Sequence, residues 1–313
     1  MAVKVAVVQA PPILLDRSAT ISLVLRHTAE AAAAGARLVV FPEAYIPGYP
    51  SWVWRLKPGG DMALAADLHA ALRAQAVDIA RGDLQPLCDA AVRHGLTLVC
   101  GLHEIDSEFS GTTLFNTAVV IGPDGAILNR HRKLLPTNPE RMVWGRGDAR
   151  GLRVVDTPAG RIGCLICWEN YMPLARYALY AQNLEILIAP TWDCGEEWIA
   201  SMRHIAREGG AWVIATGTAI QGMDVPADFP GRGRLFKDEE WLCEGGAAIV
   251  RPSGKLLAGP LMREKSMLHG EIDREAALRA RRSLDVTGHY ARPDIFQLQV
   301  NRSPLRPVEF RDG

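Results

Sequence analysis

A cysteine, a glutamate and a lysine, each placed at the end of a strand, are the parts of a covalent acyl-transfer site. The stretch Gly163-Cys164-Leu165-Ile166-Cys167-Trp168-Glu169-Asn170-Tyr171-Met172-Pro173 reads as a strand that stops at Cys167, followed by a helix. Pro173 suits the first turn of that helix, where its missing N–H does no harm. The junction is expected to lift Cys167 to the rim of a sheet, beside the positive end of a helix dipole. That position lowers a thiol pKa and favours a thiolate nucleophile. The bland alternative is a small core residue, the usual lot of a buried cysteine. Phe41-Pro42-Glu43 follows the apolar Leu38-Val39-Val40 and puts a carboxylate at a second strand end. Glu43 could instead cap a helix or lie exposed, but strand ends are where sites collect in α/β proteins. His131-Arg132-Lys133-Leu134-Leu135 offers an ammonium after a third strand. In such a set the thiolate attacks, the carboxylate moves protons and the cation meets developing charge. Lysine is usually a solvated charge. Yet only six of the 35 basic residues here are lysine. One kept between His131-Arg132 and an apolar pair suggests a task for which arginine is unsuited, since an amine can change protonation state when buried.

The elements that must carry these residues alternate along the chain. Strands are expected over Val3–Gln9, Leu38–Phe41, Thr97–Glu104, Leu114–Ile121 and Ala126–Arg132, then Val154–Asp156 and Arg161–Ile166. Further strands are expected over Ile186–Ala189, Trp212–Gly217, Ala247–Arg251, Lys255–Ala258 and Ser266–Ile272. Helices are expected over Ser18–Ala34, Ala63–Ala80, Leu84–His94, Pro173–Gln182, Glu197–Glu208 and Arg274–Arg282. Gly35 and Gly95 stop two of them. Pro123-Asp124-Gly125 supplies turn chemistry between two strands. The alternation argues for one α/β domain with layered sheets, over residues 1–282. Residues 283–313 read as a tail that packs on the domain or on a neighbouring subunit.

Taken together, these segments resemble the nitrilase superfamily of carbon–nitrogen hydrolases, whose members share a Glu–Lys–Cys triad. Glu43, Lys133 and Cys167 match it in order. The nitrilase branch is the closer likeness: Cys167-Trp168-Glu169-Asn170, Pro136-Thr137, Glu140-Arg141, Trp144-Gly145 and Gly288-His289-Tyr290-Ala291-Arg292-Pro293-Asp294 all match its motifs. The likeness runs from Val3 to about Phe296. It implies a four-layer αββα sandwich and a cofactor-free, metal-free thiol hydrolase that converts a small nitrile to acid and ammonia. It implies catalytic roles for Glu43, Lys133 and Cys167. Glu140 becomes a second carboxylate that orients Lys133 or water, against the simpler reading of a surface charge paired with Arg141. Trp168 is expected to line the pocket and to offer its backbone N–H to an anionic nitrogen or oxygen. Glu169 is expected to pack near the nucleophile and bind a backbone group. Tyr49 and Trp52, in a loop rich in Pro and Gly, are either a local apolar cluster or a pocket wall. Trp192, just past a strand, is a pocket candidate. Two enzymatic alternatives stay open: an amidase of the same superfamily, and a lyase that hydrates nitrile or cyanide and releases amide. The resemblance also implies a homodimer, or larger and even spiral homo-oligomers, paired through Pro173–Gln182 and Glu197–Glu208. Tyr177, Tyr180, Trp198 and Ile199 are the apolar candidates for that surface.

Composition bounds the rest. The 313 residues are 48% hydrophobic, enough for a sizeable core. Charge is balanced at 35 basic and 35 acidic residues, giving no electrostatic case for nucleic acid or an anionic membrane. No apolar run is long enough to span a bilayer. The first residues enter a strand without a signal-peptide pattern, so a cytoplasmic protein is expected. The six cysteines lack paired zinc spacing, and Cys164-x-x-Cys167 is a lone C-x-x-C, so reduced thiols are expected.

Overall fold

The computed structural model describes residues 2–106, 111–304 and 308. Its first strand, β1 (Ala2–Val8), shows how the sequence builds layers. Successive side chains of a strand point to opposite faces. Val3, Val5 and Val7 face one way, Ala6 and Val8 the other, and both faces are covered. Strands buried on both sides read as continuous apolar runs, which is why Leu38-Val39-Val40 shows no alternation.

The first sheet adds β2 (Leu38–Val40), β3 (Thr97–Ile105), β4 (Leu114–Ile121) and β5 (Ile127–Arg132). Its order is β13-β1-β2-β3-β4-β5, with β13 (Met267–Asp273) antiparallel to β1. Strands β1, β2 and β3 are parallel, and β3, β4 and β5 antiparallel. The second sheet holds β6 (Val155–Thr157), β7 (Gly160–Cys164), β8 (Ile186–Thr191), β9 (Trp212–Gly217), β10 (Ala219–Gln221) and β11 (Trp241–Val250) in the order β10-β11-β9-β8-β7-β6. A last strand, β12 (Leu256–Met262), pairs with β11.

Between the sheets, Val3, Val5, Val7, Val40 and Val99 meet Ile162, Ile186, Ile188, Ile214 and Ile249. Outside the first sheet lie α1 (Arg17–Ala33) and α3 (Gln85–His94), which bury Val24, Ala31, Leu87 and Ala91. Outside the second lie α4 (Pro173–Tyr180) and α5 (Glu196–Gly209), which bury Leu179, Trp198, Met202 and Ile205. The result is a helix–sheet–sheet–helix sandwich of four layers. Gln9 stitches the two sheets at one end. Its side chain accepts from Ala247 N–H at 2.8 Å and donates to the Glu264 carbonyl at 2.8 Å. Its own carbonyl accepts from Ala219 N–H at 2.8 Å.

Four expectations need correction. The helix expected over Ala63–Ala80 is α2, Met62–Ala74. It ends early because Val77 bridges to β3, donating to the His103 carbonyl at 2.8 Å and accepting from Ile105 N–H at 2.9 Å. The strand expected to reach Ile166 ends at Cys164. The helix begins at Pro173 as expected, but a 3₁₀ turn, Cys167–Tyr171, stands between it and Cys167, so the thiol does not sit at the helix N-terminus where it was expected. Tyr180 and Trp198, expected on an outward pairing surface, are 5% and 0% exposed. They fill the core between α4, α5 and the second sheet, which needs bulky side chains to close the layer. In the tail, Val286 and Leu298 pack against that core, and Arg302 Nη2 donates to the Leu152 carbonyl at 3.0 Å.

Candidate active site

Lys133 follows directly on β5 and is fixed by its own backbone. Its N–H donates to the Asn116 carbonyl of β4 at 2.8 Å, and its carbonyl accepts from Gly147 N–H at 2.8 Å. The side chain is wholly buried and its Nζ donates to two carboxylates, Glu43 Oε1 at 2.8 Å and Glu140 Oε2 at 2.7 Å. A buried ammonium needs such partners, since an unpaired one would shed its proton.

Each carboxylate is itself held. Glu140 sits on a 3₁₀ turn, Asn138–Met142, where Thr137 N–H donates to Oε2 at 2.6 Å. The Tyr49 hydroxyl donates to Oε1 at 2.6 Å, and Trp54 Nε1 donates to that hydroxyl at 3.1 Å. Glu43 lies in the turn after β2, with Ala44 at φ 48°. An L-residue rarely adopts that conformation, and such strain collects at functional sites. Strand β3 presses against this turn. A Cβ on Gly101 would lie 2.2 Å from the Pro42 carbonyl and 2.6 Å from Ala44 N, so only glycine fits. Asn116 Nδ2 donates to Glu43 Oε1 at 2.7 Å. The other oxygen, Oε2, is buried without a partner among the described residues.

Cys167 opens its turn at φ 53°, a second strained backbone, and is 4% exposed. Asn170 Nδ2 holds the turn shut, donating to the Leu165 and Cys167 carbonyls at 2.8 and 2.9 Å. The thiol hydrogen-bonds to Thr191 at the end of β8 and feels the charges of Glu43, Lys133 and Glu140. One cluster therefore holds the thiol, the ammonium and both carboxylates.

The electrostatics reverse one expectation. Burial, with the Glu43 charge behind it, pushes the Cys167 thiol up to about 12, and Lys133 only partly offsets this. A five-residue 3₁₀ turn has little dipole to lower it, and α4 begins too far along the chain. Cys167 therefore rests as a thiol, and any attack by its sulfur would need a base. Burial also raises Glu43, to about 7; Lys133 pulls it down and Glu140 pushes it up. Burial alone would lower Lys133, but Glu43, Cys167 and Glu140 hold it above the usual amine range. Two carboxylates against one ammonium leave a net negative site that welcomes one more proton.

The aromatic candidates separate. Tyr49 stacks on Trp192 with centroids 4.2 Å apart and planes at 7°. Its edge meets Trp144 at 5.7 Å, and Trp144 lies 5.9 Å from Lys133 Nζ. Tyr49, Trp144 and Trp192 thus stand beside the lysine. Trp52 is buried in the cluster with Leu68 and Leu72 of α2. Trp168 is 47% exposed, and its indole Nε1 donates to Asp193 Oδ2 at 2.9 Å. Cys164 lies fully buried between the sheets. Sequence reasoning missed Asn116 and Thr191. Asn116 had a signal, an amide inside the apolar run Leu114-Phe115-Asn116-Thr117-Ala118-Val119-Val120, since a buried amide must find partners. Thr191 had none. Among the described residues, no group of three or more His, Cys, Asp or Glu side chains could hold a metal ion. Nor is any helix among them long and apolar enough to cross a membrane.

The profile of the carbon–nitrogen hydrolase family matches residues 4–282. The chain belongs to that family, in its nitrilase branch. It is 40% identical to an aliphatic nitrilase of Sinorhizobium fredii (strain HH103), with 98% of each chain covered. It is 39% identical to the bifunctional nitrilase/nitrile hydratase NIT4A of Lupinus angustifolius, over 98% of this chain and 88% of that one. Among solved structures it is similar to a carbon–nitrogen hydrolase from Helicobacter pylori G27 (TM-score 0.71, 22% identity, covering 94% of this chain and 97% of that one). It is also similar to Nit3 of Saccharomyces cerevisiae, a member of branch 10 of the nitrilase superfamily (TM-score 0.68, 19% identity, 92% and 96% covered). At these identities the two structures speak to the fold, which they share with this family.

Proposed function

We propose that the chain hydrolyses a small organic nitrile to the carboxylic acid and ammonia, with Cys167 as nucleophile. The arrangement that carries this reading is the buried Lys133 ammonium held between Glu43 and Glu140, in the cluster that surrounds the Cys167 thiol. The choice of a nitrile over an amide leans on nitrilase relatives at about 40% identity across nearly the whole chain.

Glu43 takes the thiol proton on its unpartnered Oε2 as sulfur bonds to the nitrile carbon. The carbon–nitrogen triple bond becomes a double bond as Glu43 passes that proton to the nitrogen, and the Lys133 ammonium, which stays protonated, donates a hydrogen bond to the same atom. The Trp168 backbone N–H, in the first turn after Cys167, meets the same charge. Glu43 then draws a proton from water, which adds to the thioimidate. The tetrahedral carbon expels ammonia and leaves a thioester on Cys167. A second water releases the acid and returns the thiol. Glu140 fixes Lys133, and Tyr49, Trp52 and Trp192 form or back the aromatic wall.

The relatives whose names include nitrile hydratase favour one further outcome: loss of the thiol from the tetrahedral carbon, which would release amide. A panel of aliphatic, aromatic and arylacetonitriles, assayed for ammonia, acid and amide, tests the reading. One ammonia per acid is expected. Amide without ammonia would favour the hydrating reaction, and turnover of amides alone would favour an amidase.

The pH profile follows from Glu43. The base must be ionised, and its carboxyl is raised to about 7. kcat/KM should fall by roughly tenfold per pH unit below that value. A rate flat down to pH 5 would remove Glu43 as the base.

We further propose that the working form is at least a homodimer, open to larger spiral assembly. Leu174 of α4 is 67% exposed beside half-buried Tyr177, and a groove of about 600 Å³ runs between them and Val286, Tyr290, Ile295 and Phe296. Exposed apolar area of this kind favours an interface. Light scattering should return at least twice the 34.2 kDa of one chain. A fully active monomer at micromolar concentration would sink this assembly.

A further inference from the structure

The residues that follow the nucleophile each reach a different part of the site. Trp168 reaches Asp193, and Asn170 closes the turn on itself. Glu169 reaches furthest. Its carboxylate is fully buried and accepts from three donors. Ile166 N–H donates to Oε2 at 2.5 Å, and Leu134 N–H donates to Oε1 at 2.6 Å. His131 Nε2 lies 2.9 Å from Oε2 and 3.2 Å from Oε1. A carboxylate only accepts, so this ring nitrogen carries the hydrogen.

The positions of those donors matter. Ile166 immediately precedes Cys167, while His131 and Leu134 stand on either side of Lys133. The two segments come from different sheets: His131 is on β5 of the first, and Ile166 follows β7 of the second. The sandwich joins them across its apolar middle, which gives van der Waals contact but no fixed polar register at the site. Glu169 supplies that register. It also differs from Glu43 in a decisive way. Glu43 keeps one oxygen without a partner, while both Glu169 oxygens are taken by the protein. Glu169 is therefore unsuited to move protons to a substrate.

We infer that Glu169, held by His131, is a positioning residue that sets the distance between Lys133 and the Cys167 sulfur. The inference rests on the nucleophile reading above and adds how its geometry is kept. Ångström-scale misplacement of reacting groups costs about 10²-fold in rate. Losing the carboxylate should therefore damage the chemical step more than substrate binding.

The test uses full-length Glu169→Gln and His131→Gln proteins. Glu169→Gln keeps the shape but turns an N–H₂ toward a backbone N–H. Its kcat per folded molecule should fall by about 10²-fold, with KM changed by less than about threefold. His131→Gln keeps an N–H donor and should lose no more than about tenfold. A second readout needs no nitrile: peptide-resolved alkylation by iodoacetamide. Cys194, half-buried and lowered to about 7 chiefly by its hydrogen bond to Cys243, is expected to alkylate readily and has no hydrogen bond to Glu169, so it serves as the internal standard. In Glu169→Gln, labelling of Cys167 should slow by about tenfold relative to Cys194. Circular dichroism and thermal melting give the folded fraction. A lower Tm with unchanged kcat per folded molecule and an unchanged Cys167:Cys194 labelling ratio would reduce Glu169 to a structural role and overturn the inference. If the wild type consumes no nitrile, the proposed function fails, while the labelling ratio still decides the positioning role.

Discussion

Cys167→Ala should abolish turnover of every nitrile, while Cys164→Ala should keep most of it. The two thiols are three residues apart and both buried, so composition does not separate them. Their surroundings do. Cys164 is the last residue of β7, packed between the sheets, where burial holds its thiol well above the usual range. Cys167 faces Glu43, Lys133, Glu140 and Thr191. Removing it leaves the ammonium and base with nothing to activate. The alanine fits the turn no worse than cysteine, so the fold should survive. Assays of ammonia release on folded protein check this. Equal loss in both variants would revive a dithiol role for the C-x-x-C pair.

Lys133→Ala and Glu43→Gln should each lower kcat by ~10³-fold or more, the sum of a lost base or charge stabiliser and disturbed neighbours. Lys133 bridges Glu43 and Glu140 through its one ammonium group. Without it two buried carboxylates lose their shared counter-charge, and Glu43, which Lys133 pulls down, becomes harder to ionise. The lysine variant should therefore also move the acid limb of the pH profile above about 7. Glu43→Gln keeps an oxygen to accept from Lys133 and Asn116, so it should stay folded and lose only the proton acceptor. Steady-state kinetics with circular dichroism check both. Near-normal kcat in Lys133→Ala would remove the charge-stabilising role.

Much of this was legible in the sequence because strand ends are loud signals. Apolar runs before Glu43 and Cys167, and the more polar strand before Lys133, pointed to three strand ends, and the sandwich brings the three residues together. The periodic strands Leu114–Ile121 and Trp212–Gly217 have the expected bounds. The misses have physical causes. Val77 belongs to a bridge with β3, a long-range pairing that helical propensity does not register. Tyr180 and Trp198 could have faced out or in, and only the packing of two helices on one sheet decides. The state of Cys167 was misjudged because a helix dipole is local and visible in sequence. The burial and the Glu43 charge that outweigh it are assembled from distant segments. Glu169 binds backbone N–H groups beside the nucleophile as expected, but its partner His131 lies 38 residues away, and Asn116, which was missed, meets Glu43 from 73 residues away.

The proposed mechanism requires one thiol to carry the substrate as a covalent adduct. Rapid acid quench during steady-state turnover of a consumed nitrile, followed by peptide mapping and fragmentation mass spectrometry, tests it directly. The expected result is an added mass equal to the acyl or imidoyl group, on Cys167 and on no other residue, lost when substrate is exhausted. Sustained turnover with Cys167 unmodified at every time point, or with the adduct on Cys164 or Cys194, would contradict the account.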